Sequence, residues 1–91
     1  MSKHRLFGRL PSHRRFARPI EVTIHHDIDG WYSVTSEHTT IFGSGPTKGE
    51  ALADFKQALI TDFIELSRPE HVLFWPIQQE LDWMRSVITW R

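Results

Sequence analysis

Cysteine is absent from the chain, so neither a disulfide nor a thiolate zinc site can hold the fold together, and redox chemistry does not mark a compartment. No apolar run approaches the roughly 20 residues that span a bilayer, and the N-terminal stretch lacks the apolar region of a secretory signal. A cytoplasmic chain without membrane contact is the expectation. Acidic side chains are missing from residues 1–18, which carry Lys3, Arg5, Arg9, Arg14, Arg15 and Arg18 and sum to +6. The five remaining bases face all eleven acids, so residues 19–91 sum to −6 and the net charge of zero hides a basic segment ahead of an acidic body.

What is present argues for a folded chain. Apolar residues are 40% of the 91, and six Phe, four Trp and one Tyr are too much hydrophobic surface for a disordered polymer. A chain of this length is one domain that buries around two-thirds of its unfolded surface. Residues 1–18 are expected to be a flexible basic arm, with residues 19–91 forming the domain. Two readings of the arm stand side by side. It is a solvated tail free to fold back on its own acidic body, or it is an electrostatic contact to nucleic acid through Arg5, Arg9, Arg14, Arg15 and Arg18, with Phe7 and Phe16 placed to stack.

From Pro19 the pattern changes. Ile20, Val22 and Ile24 alternate with Glu21, Thr23 and His25, the period-two signature of a strand with one buried face. Asp27-Ile28-Asp29-Gly30 ends in an Asp-Gly pair suited to a tight hairpin turn. Residues 31–36 alternate again, with Tyr32 and Val34 on one face and Trp31, Ser33 and Thr35 on the other. Thr39-Thr40-Ile41-Phe42 is a third, shorter strand, ended by Gly43-Ser44-Gly45-Pro46. Thr47 and Glu50 then have the spacing of a helix capping box. Leu52, Phe55, Leu59, Phe63 and Leu66 follow at helical spacing and predict a stripe lying on the sheet, opposite a solvated face of Asp54, Gln57, Thr61 and Glu65.

Residues 71–75 read equally as a fourth strand or a short helical turn. A helix is expected from Pro76, with Ile77, Leu81, Met84 and Ile88 on one face and Trp83, Val87 and Trp90 on a second. That second apolar face is either a partner or homodimer surface or a cover for the chain's own sheet. The expected fold is α+β: a three-stranded antiparallel sheet packed by one amphipathic helix (β-β-β-α), a candidate short fourth strand, and a C-terminal helix.

The segments Asp27-Ile28-Asp29-Gly30-Trp31-Tyr32 and Gly45-Pro46-Thr47-Lys48-Gly49-Glu50-Ala51 resemble the D-x-D-G-x-Y and G-x-T-x-x-E-A pattern of the HicB-like antitoxin superfamily, over residues 20–66. The resemblance implies a partial, degenerate RNase H-like β-β-β-α-β fold without nuclease chemistry, and a partner that is a small RNase toxin. The chain departs from that family in reading Glu37-His38-Thr39-Thr40-Ile41-Phe42 where a Leu-Pro-Gly-Cys stretch is usual. Residues 67–91 resemble neither a ribbon-helix-helix nor a helix-turn-helix.

Catalytic, cofactor and metal-ligating residues are not assigned. Asp27, Asp29 and Glu37 could in principle hold a divalent metal in a small nuclease, but a turn accounts for the two aspartates more simply. His25 and His26 are neighbours on a strand, point to opposite faces and cannot easily share a metal with His38. Residues 43–48 lack the Walker spacing. The sequence therefore predicts a non-catalytic macromolecule-binding module acting through protein contacts at Trp83, Val87 and Trp90, with a protein partner or a second copy of itself. Nucleic-acid binding through the arm is one alternative, and a small metal-dependent nuclease is the other.

Overall fold

The computed structural model describes residues 2–68 and 75–90. Among these residues, seven strands and two helices follow one another as β1 (Ser2–Leu6), β2 (Arg9–Leu10), β3 (Arg14–Phe16), β4 (Ile20–His26), β5 (Tyr32–Ser36), β6 (Thr39–Gly45), α1 (Lys48–Leu66), α2 (Trp75–Val87) and β7 (Ile88–Trp90). The class is α+β. Its strands form two antiparallel sheets, one of four strands in the order β1-β4-β5-β6 and one of three in the order β2-β3-β7.

The three central strands arise as their alternation dictates. Ile20, Val22 and Ile24 are buried on β4 while Glu21 is exposed, and Val34 lies opposite Ile24 on β5. The β4–β5 turn is wider than a two-residue hairpin. The Asp27 amide donates to the Trp31 carbonyl at 2.7 Å and the Gly30 amide to the Asp27 carbonyl at 3.0 Å. Of the Asp29-Gly30 pair, only Gly30 takes a positive φ, +89°. A side-chain oxygen of Asp29 accepts the Trp31 amide at 3.1 Å, which fixes the exit from the turn.

Helix α1 starts where the cap is expected, with the Glu50 amide donating to Thr47 Oγ1 at 3.1 Å. Its innermost residues are Ala51, Phe55, Leu59 and Ile60, while Leu52, Phe63 and Leu66 flank them half-buried. The helix lies directly on β6 because Gly43 and Gly45 have no side chains. A Cβ at Gly43 would collide with the Ala51 carbonyl and with the backbone of Phe55, and one at Gly45 would sit 2.9 Å from the Ala51 amide. The strand reaches Gly45 rather than stopping at Phe42, since the Gly-Ser-Gly stretch is held between β5 and the helix.

Three expectations are corrected. Residues 2–18 are not an arm outside the fold. β1 pairs with β4 in the register Ser2↔Ile24 to Leu6↔Ile20, and β2 and β3 form a hairpin whose Leu10 and Phe16 are buried in the same core as α1 and β4. The driving force is the three apolar side chains Leu6, Leu10 and Phe16, spaced too irregularly to show as a period; the basic segment does fold back on the acidic body. The second correction concerns the C-terminal helix, which ends at Val87. Ile88–Trp90 pairs with β3 as a strand, with Phe16↔Ile88 and Arg14↔Trp90 opposite each other. Third, the strand that makes the main sheet four-stranded is β1. Of the candidate 71–75 strand, Trp75 opens α2, and 71–74 lie outside the described residues.

Candidate macromolecule-binding surfaces

The three residues expected to form one helical face are dispersed. Val87 is fully buried, and its carbonyl accepts the Ala17 amide at 2.7 Å, so it is core and cannot meet a partner. Trp90 stands on β7, 67% exposed, with the Arg14 guanidinium 4.2 Å above its ring. Trp83 remains on α2, half-buried against the core and stacked on His38 with ring centroids 5.1 Å apart at 17°.

The arginines separate as well. Arg14 is half-buried between the rings of Trp90 and Phe63, and its Nη1 donates to the Ser12 carbonyl at 3.3 Å. It is a packing residue. Arg9 and Arg15 are cross-strand partners on the opposite face of the small sheet from Leu10 and Phe16. Arg5 and Arg18 converge on one groove with His38 and Trp83. Phe16, considered from sequence as a stacking group, is buried, whereas Phe7 is exposed. Lys3 bonds Glu21 at 3.1 Å with Glu37 at 3.9 Å. The hydrogen bond to Glu21, then the charges of Glu21 and Glu37, hold the ammonium above its ordinary value.

The carboxylates and imidazoles considered for chemistry do not assemble. The backbone of Asp27 and the side chain of Asp29 are engaged within their turn, and Glu37 faces Lys3. His25 shares a 3.3 Å hydrogen bond with Thr35, His26 stacks on Tyr32 at 4.3 Å, and His38 stacks on Trp83. Among the described residues, no group of three or more His, Asp or Glu side chains is placed to hold a metal ion.

A groove of 720 Å³ runs between the edge strand β6 and α1. Ile41, Phe42 and Ala58 give it apolar surface, and Asp54, Asp62 and Glu65 give it acidic groups. Phe42 is 62% exposed although it is a large apolar side chain. The strand's outward amides are answered by carboxylates: Ser44 donates to Asp54 Oδ2 at 2.9 Å, and Thr40 to Glu80 Oε1 at 2.8 Å. Glu80, at 8% exposure the only buried charged residue among those described, also accepts the hydroxyls of Thr39 and Thr40. Burial, followed by the charges of Glu80 and Glu65, pushes the Asp62 carboxyl above its ordinary value.

No protein-family model, curated protein or solved structure matches this chain. The site must therefore be read from its own geometry. Among the described residues, no helix is long and apolar enough to cross a membrane. Sequence reasoning did not find the groove, because its walls come from β6 and from the polar face of α1. The one available signal was Phe42, an aromatic at a strand position whose neighbour Ile41 also looked apolar.

Proposed function

We propose that the chain is a non-catalytic macromolecule-binding module similar to a HicB-like antitoxin, and that it holds a basic protein partner in the groove between β6 and α1. The observation that carries this reading is the groove's composition: an exposed Phe42 beside Ile41 and Ala58, rimmed by Asp54, Asp62 and Glu65. An exposed aromatic at the edge of an apolar recess is a ready anchor for a protein interface, and the acidic rim selects charge of the opposite sign. A small RNase must present positive charge to RNA phosphates. An acidic groove is complementary to such a surface, which is why the toxin-type partner implied by the motif resemblance suits this site. The main sheet is also compatible with that resemblance, since β4, β5, β6 and α1 occur in the β-β-β-α order over residues 20–66.

The test is affinity capture from the native host with the wild-type chain and with a Phe42→Ala/Asp62→Lys variant. A basic protein retained by the wild type and lost by the variant is the expected result. Equal retention by both would remove the groove as the site. Trp83, Val87 and Trp90 do not form a helical dimer face, because Val87 is in the core and Trp90 is on a strand.

A further inference from the structure

We infer that the groove bounded by Arg5, Arg18, His38 and Trp83 is a nucleotide-binding site, in which a base extends the His38–Trp83 stack and its phosphate lies on the two guanidinium groups. The groove has 460 Å³ and draws on five segments: β1, the β3–β4 connection, the start of β4, the β5–β6 turn and α2. That volume lies within the range of small-ligand sites.

Charge supports an anion here. Glu21 is the one acid in the lining, and its carboxylate is taken by Lys3 at 3.1 Å. Among the described residues, Arg5 and Arg18 have no carboxylate within ion-pair reach. Glu21 lies opposite Arg5 across the β1–β4 ladder but pairs with Lys3, so both guanidinium forks keep donors for phosphate oxygens, which they match in geometry as well as sign.

Shape supports a planar group. The imidazole and indole lie within 17° of parallel at 5.1 Å, and Trp83 is held against the core, so the platform exists before any ligand arrives. Stacking on such rings is tolerant of base identity. A peptide of aspartate and glutamate alone would satisfy the arginines but has no ring for the stack, which favours a nucleotide. The acidic groove beside β6 repels the same ligand, so the two surfaces divide by charge.

The experiment is fluorescence anisotropy of a labelled eight-nucleotide oligouridylate with the full chain at several salt concentrations. Two phosphate contacts predict a log–log salt slope of about −1.4 for a single strand. Arg5→Gln/Arg18→Gln is expected to weaken binding at least about tenfold at low salt and to flatten the slope. His38→Ala is expected to weaken it about tenfold while leaving the slope unchanged, because a stack carries no counterion. All three residues are exposed, and circular dichroism checks that each variant is folded.

Arg9→Gln/Arg15→Gln, on the small sheet, should bind as the wild type does. Competition by uridine monophosphate would identify a free nucleotide as a sufficient ligand, and competition by unlabelled oligomer alone would identify a strand; either supports the site. No binding at low salt, or an equal loss with Arg9→Gln/Arg15→Gln, would overturn it, and so would stronger competition by a phosphotyrosine peptide than by the nucleotide. Capture of a basic protein through Phe42 and Asp62 is read independently of all these outcomes.

Discussion

At Gly43 the absence of a side chain decides how closely a helix can approach a strand. The positions that an added methyl would occupy are held by backbone atoms of Ala51 and Phe55, which cannot rotate away. Gly43→Ala is therefore expected to cost about 3 kcal/mol, at the upper end of overpacking penalties, and to lower the urea midpoint without changing the slope of the transition. Asp62 makes the opposite kind of prediction. Its folded-state value is raised above 3.8, so ionisation opposes folding: the stability this carboxyl contributes is fully present below the unfolded value and is lost as pH rises through the folded one. Asp62→Asn should stabilise the chain at pH 7, and that gain should vanish as the urea titration is repeated toward pH 3. Phe55, fully buried on the sheet-facing side of α1, should cost about 3–5 kcal/mol when cut to Ala.

Elements differ in how plainly their residues announce them. β4 and α1 were legible because their apolar positions repeat at the period of the element over enough residues to exclude the other period. β1 was not, since its inward positions Ser2, His4 and Leu6 include a single apolar side chain, and the strand exists because β4 offers it an edge. β7 was hidden differently: Ile88 continues the spacing of α2, and only pairing with Arg14, Arg15 and Phe16 turns the chain into a strand. The acidic groove and the Arg5–Trp83 groove share that difficulty, because each is assembled from segments whose own patterns describe only burial. The basic segment thus becomes a structural element with a measurable consequence. Deleting residues 2–16 removes Leu6, Leu10 and Phe16 from the core, at about 1.5–3 kcal/mol each. Loss of a cooperative thermal transition is expected, whereas a detached tail would leave the melting curve unchanged.

Across the whole molecule, +6 and −6 segments lie together, yet little of the stability should come from their attraction. The Lys3 contacts to Glu21 and Glu37 are exposed, and such pairs contribute about 0–1 kcal/mol each. Raising the salt from low to molar concentration should shift the urea midpoint only slightly while abolishing oligonucleotide binding, which separates the fold from the anion site in one series. The small sheet carries a different consequence. It joins Arg15 to Thr89 across nearly the whole length of the chain, through strands of only two or three residues. Short ladders with distant partners open more readily than long central ones. In native-state hydrogen exchange, the amides of β3 and β7 should trade protons with solvent well before those of β4 and β5, so the Arg14 clasp over Trp90 marks where this protein first comes undone.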